Sequence, residues 1–297
     1  MKKTLSERTK GIVALILLAF VFASMGLFVR FLKADFTILQ QTYLRIFAAF
    51  VIGFIVFYKD LDFSKLKKIS KKEWGILLFR AVSLYLLAVT IISSAITLAK
   101  YSNVSFIGAL PLTAVLGFIL LKEKVTWSKI LYILVGFVGV VIIAVKDYAH
   151  LFTWGQGELL ALIGSVCFAL SYIARKWQGD LLNNKEIAVL IFFISTILLF
   201  VTSTVFFHEG MPHPSSWSFS ILAVIFMAGL FNVANLFLTN YGFQKVDAVL
   251  ASNLLSLETV FAVFLGFIFF FELPTVKELI GGVLIVFSAY QMNRIDS

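Results

Sequence analysis

The chain is short of the groups that keep a protein in water. Only 14% of its 297 residues are charged, against 61% hydrophobic, and there are 4 prolines, 3 histidines and 1 cysteine. So few charges cannot coat a soluble globule of this length, which leaves the bilayer as the expected solvent. A lone Cys167 excludes a disulfide framework and a thiolate metal cluster, and it reads as a small packing residue. His150, His208 and His213 all fall between apolar runs, so no buried histidine is available as a general base. Gly-rich phosphate loops, H-E-x-x-H and G-x-S-x-G are absent from the sequence.

What the chain has instead is long apolar runs. A membrane helix needs about 20 mainly apolar residues, and ten runs of that kind are expected near 11–32, 36–57, 74–93, 97–121, 127–145, 157–175, 187–207, 218–241, 247–271 and 276–293. The first follows Lys2, Lys3, Arg8 and Lys10 but is too long for a signal-peptide core, so it reads as a retained span. Most of the 25 basic residues lie at the N-terminus, at the C-terminal Arg294 or after the second, fourth, sixth and eighth runs. This bias predicts an inner-membrane protein with both termini cytoplasmic. It also assigns the net charge of +9 to loops facing anionic lipid and not to nucleic acid. Trp74, Trp127, Trp154, Trp177 and Trp217 all fall at expected span ends, where an amphipathic ring favours the headgroup zone. Arg80, six residues past Trp74, is expected to snorkel to the same surface.

The chain also repeats itself. "LGFILLKE" at Leu116–Glu123 returns as "LGFIFFFE" at Leu265–Glu272, an offset of 149 residues. Five spans per half is an odd number, so the halves enter the membrane in opposite directions. The predicted fold is an all-α polytopic membrane protein of ten transmembrane helices, built as two inverted five-helix repeats over 1–146 and 147–297. Secondary transporters commonly have this construction, with the substrate site at mid-depth between the halves.

Ten spans, two five-helix halves and a glutamate closing a span in each half resemble the drug/metabolite transporter superfamily, in particular its EamA-like bacterial permeases. Pro111 stands twelve residues before Glu123, as that resemblance implies, and Arg45 resembles the arginine of the family's second helix. At Glu258-Thr259 the acid is kept but threonine replaces the proline, leaving open whether the ninth helix bends.

Glu258 and Arg45 both lie about ten residues into their spans, roughly 16 Å deep at 1.5 Å per residue. A charge at that depth costs at least ~2.5–3.5 kcal/mol, so each is expected to face a bundle interior or wet cavity. Two readings stay open: a static ion pair between them, or residues of the transport pathway. Asn232, Asn235 and Thr239 share one helical face, and Ser252, Ser256 and Thr259 share another. The expected substrate-binding set is Arg45, Tyr101, Asn103, Tyr172, Asn232, Asn235, Ser256 and Glu258, with Ser105 and Ser171 nearby. Glu123 and Glu272 are read as caps and interface anchors. The expected function is a metabolite permease working by alternating access, with amino acids or related amphiphiles as the leading substrates. A membrane channel or membrane-embedded enzyme is the alternative. No cofactor is expected; partners are a small-molecule substrate and lipid, with proton coupling through Glu258, in a monomer or homodimer.

Overall fold

The computed structural model describes residues 6–99, 104, 107–124, 126–145, 155–213, 216–271 and 273–295, and among these it contains helices and no strand. In chain order they are α1 Glu7–Leu32, α2 Ile38–Phe57 and α3 Lys71–Ala81. A π-helical stretch, Val82–Val89, leads from α3 into α4 Thr90–Leu98. Then come α5 Leu112–Leu121, α6 Trp127–Ala144, α7 Gln156–Trp177 and α8 Asn184–Val201, the last continued by a second π-helical stretch, Thr202–Phe206. The chain closes with α9 Phe219–Lys245, α10 Ala248–Leu255, α11 Leu257–Phe270 and α12 Val276–Ile295. Their starts follow from the sequence. Thr37 with Gln40, Ser70 with Glu73 and Asn183 with Glu186 form capping boxes, each closing two free amides at a helix entry.

Among the described residues, eight helical runs are long and apolar enough to cross a membrane, and α5 is a shorter apolar helix. The chain is therefore a multi-pass membrane protein. The tenth expected run forms α12, but Lys277, Glu278, Gln291 and Asn293 toward its ends lower its average hydropathy. The third run is longer than expected, continuing without interruption from Lys71 to Leu98 through the π-helical stretch.

Helices pair where small residues let backbones approach. α6 packs on α12 with Gly139 and Gly281 face to face, each leaving no room for a Cβ against the other's carbonyl oxygen. Gly229 of α9 lies on Ala48 of α2, and Gly164 of α7 on Ile92 of α4. The other principal contacts are α1 with α9 and α11, α2 with α8, α5 with α7 and α5 with α10. Outward faces carry large apolar side chains such as Phe219, 89% exposed, as a surface bathed in lipid requires. The two "LGFI" segments end alike: Lys122 and Phe271, 149 residues apart, both adopt a left-handed φ of 55°.

Candidate functional site

Two helical runs are interrupted in their interiors. α10 stops at Leu255, and α11 restarts at Leu257. At the joint the Ser256 hydroxyl donates to the Asn253 carbonyl at 2.6 Å, and Thr259 N–H reaches the Ser256 carbonyl at 3.1 Å. A serine hydroxyl that takes a backbone carbonyl interrupts the α ladder without proline, so the ninth span is interrupted although threonine stands where the resemblance implies proline. In the first half the break lies at Ala109–Pro111, with Pro111 at the cap of α5 and Leu112 N–H turned onto the Leu110 carbonyl at 2.7 Å. Pro111 starts α5 with a non-helical cap and a positive dipole end, whereas Ser256 keeps helical backbone angles (φ −60°, ψ −20°) and interrupts the α ladder by one tighter turn.

Glu258 occupies the first turn of α11, just past the break. Its side chain is exposed although protein surrounds it densely. Ala262, one turn on, is exposed too, whereas Phe264, Phe267 and Ile268 form a separate exposed face around the helix. At 100° per residue the two faces lie on roughly opposite sides of α11. The phenylalanine face meets lipid, and Glu258 with Ala262 lines the interior. Among the described residues Glu258 makes no hydrogen bond or ion pair, and Tyr172 of α7 lies within its electrostatic reach. Tyr172 is itself stacked between Phe168 and Phe243, with ring centroids at 6.1 and 5.0 Å.

Arg45 is buried at 5% exposure but does not pair with Glu258. Its Nε donates to the Gln41 carbonyl at 3.1 Å and its Nη2 reaches Thr42 Oγ1 at 3.5 Å, both on its own helix. The ion-pair reading therefore has no geometry behind it.

Arg80 corrects a second expectation. It is wholly buried and does not snorkel. Its Nε donates to the Ser171 carbonyl at 3.2 Å, its Nη2 to Asn240 Oδ1 at 2.7 Å and its Nη1 to Gln178 Oε1. One guanidinium thus ties α3 to α7 and α9. The signal lay in the helix face: Leu77, Arg80, Ala81 and Leu84 fall at i, i+3, i+4 and i+7, all buried.

Of the remaining expected site residues, Asn232 is buried and donates back to the Ala228 carbonyl at 2.8 Å. Asn235 is buried beside it, with no side-chain hydrogen bond among the described residues, and the buried Thr239 hydroxyl also lacks a partner. Ser171 is fully buried, its hydroxyl unpartnered while its carbonyl serves Arg80. Tyr101, Asn103, Ser105 and Glu272 lie outside the described residues.

Glu123 behaves as the expected cap, but across the molecule. Its Oε1 and Oε2 accept from Ala248 N–H and Val249 N–H at 2.9 and 3.1 Å, closing the first turn of α10, and Lys176 Nζ approaches at 3.5 Å. Glu123→Ala uncaps two amides, and the expected loss is about 1–2 kcal/mol, read as a lowered melting temperature, with Glu123→Gln retaining part of the stability.

An apolar recess of about 350 Å³ opens alongside, lined by Phe20, Ser24 and Phe28 of α1, Ala223, Val224, Met227 and Phe231 of α9, and Leu265 of α11. Leu265 is seven residues, two helical turns, beyond Glu258 on the same side of α11. The ring of Phe261 between them packs edge-on against Phe20 at 5.6 Å. A carboxylate and an aromatic recess thus share one helix face about 10 Å apart.

Interrupted spans, buried cations and an acid within an apolar span define a polytopic helical membrane protein with polar groups in its interior, the usual build of a solute carrier. The chain matches the model of the EamA-like transporter family over residues 9–145 and again over 155–294, and it belongs to that family. An uncharacterized transporter of Synechocystis sp. is 27% identical over 253 residues, covering 79% of this chain and 70% of that protein. The S-adenosylmethionine uptake transporter of Rickettsia conorii is 27% identical over 241 residues, covering 80% and 75%. A crystallographically determined chain 19% identical in sequence superposes with a TM-score of 0.80 over 99% of this chain and 100% of its own, which shows a shared fold.

Proposed function

We propose that this transporter is a ten-span carrier that moves small polar or amphipathic metabolites, amino acids foremost, by alternating access between two inverted repeats, 1–146 and 147–297. The observation carrying this reading is Glu258: an exposed carboxylate, without an ion pair among the described residues, in the first turn after an interruption of the ninth span. Discontinuous helices at mid-depth are where secondary carriers place their substrates. With each span counted as one unit, α2 with α8, α5 with α10 and α6 with α12 are the second, fourth and fifth spans packed on the seventh, ninth and tenth. The pair α1–α9 corresponds to α4–α7, and α1–α11 to α5–α7, when the halves are exchanged. The shared left-handed geometry at Lys122 and Phe271 supports the same symmetry.

The substrate meets Glu258, Ser256 and Tyr172 from one side and Arg45, Asn232 and Asn235 from others, with the phenylalanine recess taking an apolar part; Tyr101 and Asn103 are further expected contacts on the strength of the sequence alone. An amino acid, with opposite charges and a variable apolar portion, fits that distribution. The relatives named for S-adenosylmethionine uptake point to an amino-acid derivative as well. The basic bias of the loops supports cytoplasmic termini, so reporters near Lys67 and at the C-terminus are expected to read as internal and one near His213 as external; termini on opposite sides would remove the ten-span arrangement. Flux into proteoliposomes separates a carrier from an enzyme, and saturation with counterflow separates it from a channel.

A further inference from the structure

We propose that Arg45 and Tyr85 form an oxyanion subsite in which the carboxylate, or an equivalent phosphate oxygen group, of the transported molecule is the missing counter-ion of Arg45. The inference deepens the carrier reading and rests on it.

Arg45 lacks an anionic partner among the described residues. It is 5% exposed, and its hydrogen bonds are to Gln41 O and Thr42 Oγ1, which are neutral and local. Among the described residues no carboxylate approaches it. A buried guanidinium in a bilayer interior is costly unless its donors are filled, as those of Arg80 are, and Arg45 has donor capacity left over. Nη1 makes no hydrogen bond among the described residues, yet it is not one of the sealed, partnerless atoms, so it borders open space.

Tyr85 is the second observation. It is 4% exposed, its hydroxyl also has no hydrogen bond among the described residues, and its ring is held by Phe192 at a centroid distance of 6.1 Å. It sits in the π-helical stretch Val82–Val89, a widened turn that places a side chain where a regular helix would not and that recurs at functional sites. Both Arg45 and Arg80 lie within electrostatic reach of the phenol. Their roles differ. Arg80 spends its three nitrogens on Ser171, Gln178 and Asn240 and is a fixed structural cation. Arg45 retains free donor capacity. Two cations, a phenolic donor and no acid make a net-positive buried site, which suits an oxygen anion held by charge-assisted hydrogen bonds.

The test uses the purified full-length protein, melted in sodium chloride and then with sodium formate, sodium phosphate, methionine or methionine amide at matched ionic strength. At least one of the three oxyanion probes is expected to raise the melting temperature by several degrees, with methionine amide, which lacks the carboxylate, giving less than methionine. Arg45→Gln is expected to weaken that binding at least tenfold while melting in chloride at or above the parent, since it removes a charge that has no partner. Tyr85→Phe is expected to lose part of the shift and keep the parent's stability. No shift with any oxyanion, a shift that survives Arg45→Gln, or an Arg45→Gln protein that melts well below the parent in chloride would each overturn the subsite. Equilibrium binding is read apart from flux: an anion shift without counterflow sinks the carrier reading and leaves the subsite, and counterflow without an anion shift does the reverse.

Discussion

Arg80→Ala is expected to be the most destabilising single change in the membrane interior, by about 3 kcal/mol or more. The variant leaves the buried Asn240 side-chain oxygen without its donor, an unsatisfied buried acceptor costing ~1–3 kcal/mol, and also removes the bonds to the half-buried Gln178 oxygen and the Ser171 carbonyl. It also opens a cavity where a fully buried arginine stood, which adds to the loss. Arg80→Lys should recover only part, because one ammonium cannot present three planar donors to α3's neighbours α7 and α9. A snorkelling arginine would behave otherwise, its removal changing stability by under ~0.5 kcal/mol. Thermal melting of the three proteins in one detergent decides between a buried tie and a surface cation.

Glu258→Gln is expected to change function more than stability. The substitution keeps the shape of the side chain and removes its proton exchange, and no ion pair is broken by it among the described residues. Tyr172 is the titratable neighbour within reach. If Glu258 gains and loses a proton as the cavity turns from one face to the other, the glutamine protein should exchange substrate across liposomes at a rate close to the parent and fail to accumulate it when a pH gradient is imposed. A stable Glu258→Gln protein with full pH-driven accumulation rules the coupling role out and leaves Glu258 as a substrate contact. A static Arg45–Glu258 pair predicts a different pattern, loss of stability rescued by Arg45→Gln, and the local bonding of Arg45 argues against it.

How much of this was legible in the sequence depends on the range of the interaction. The apolar solvent and the 149-residue echo were readable because they follow from composition and spacing, and eight of the helical runs among the described residues are long and apolar enough to cross a membrane. The break before Glu258 was looked for at Thr259 and lies at Ser256, where a hydroxyl takes a carbonyl, a competition that a motif centred on proline does not register. Arg80 was placed by its distance from Trp74 along the chain, when its position on the Leu77–Leu84 face carried the information. Asn240, the residue that receives Arg80, lies one position past the Asn232–Asn235–Thr239 face that drew attention. The Glu123 cap on α10 joins residues 125 positions apart, and only the packing of α5 on α10 reveals it. Local pattern found the elements, and tertiary contact chose among their polar residues.

The central claim is exchange of a small solute across the membrane at a site between the broken helices. It is tested most directly by counterflow in proteoliposomes, using each of the twenty amino acids that raises the melting temperature of the purified protein. Uptake of labelled solute should saturate, should be accelerated by unlabelled solute inside, and should fall at least tenfold in Arg45→Gln vesicles. Uptake that is linear in concentration and indifferent to the internal solute, or an absence of any amino-acid exchange by folded protein, would contradict the account.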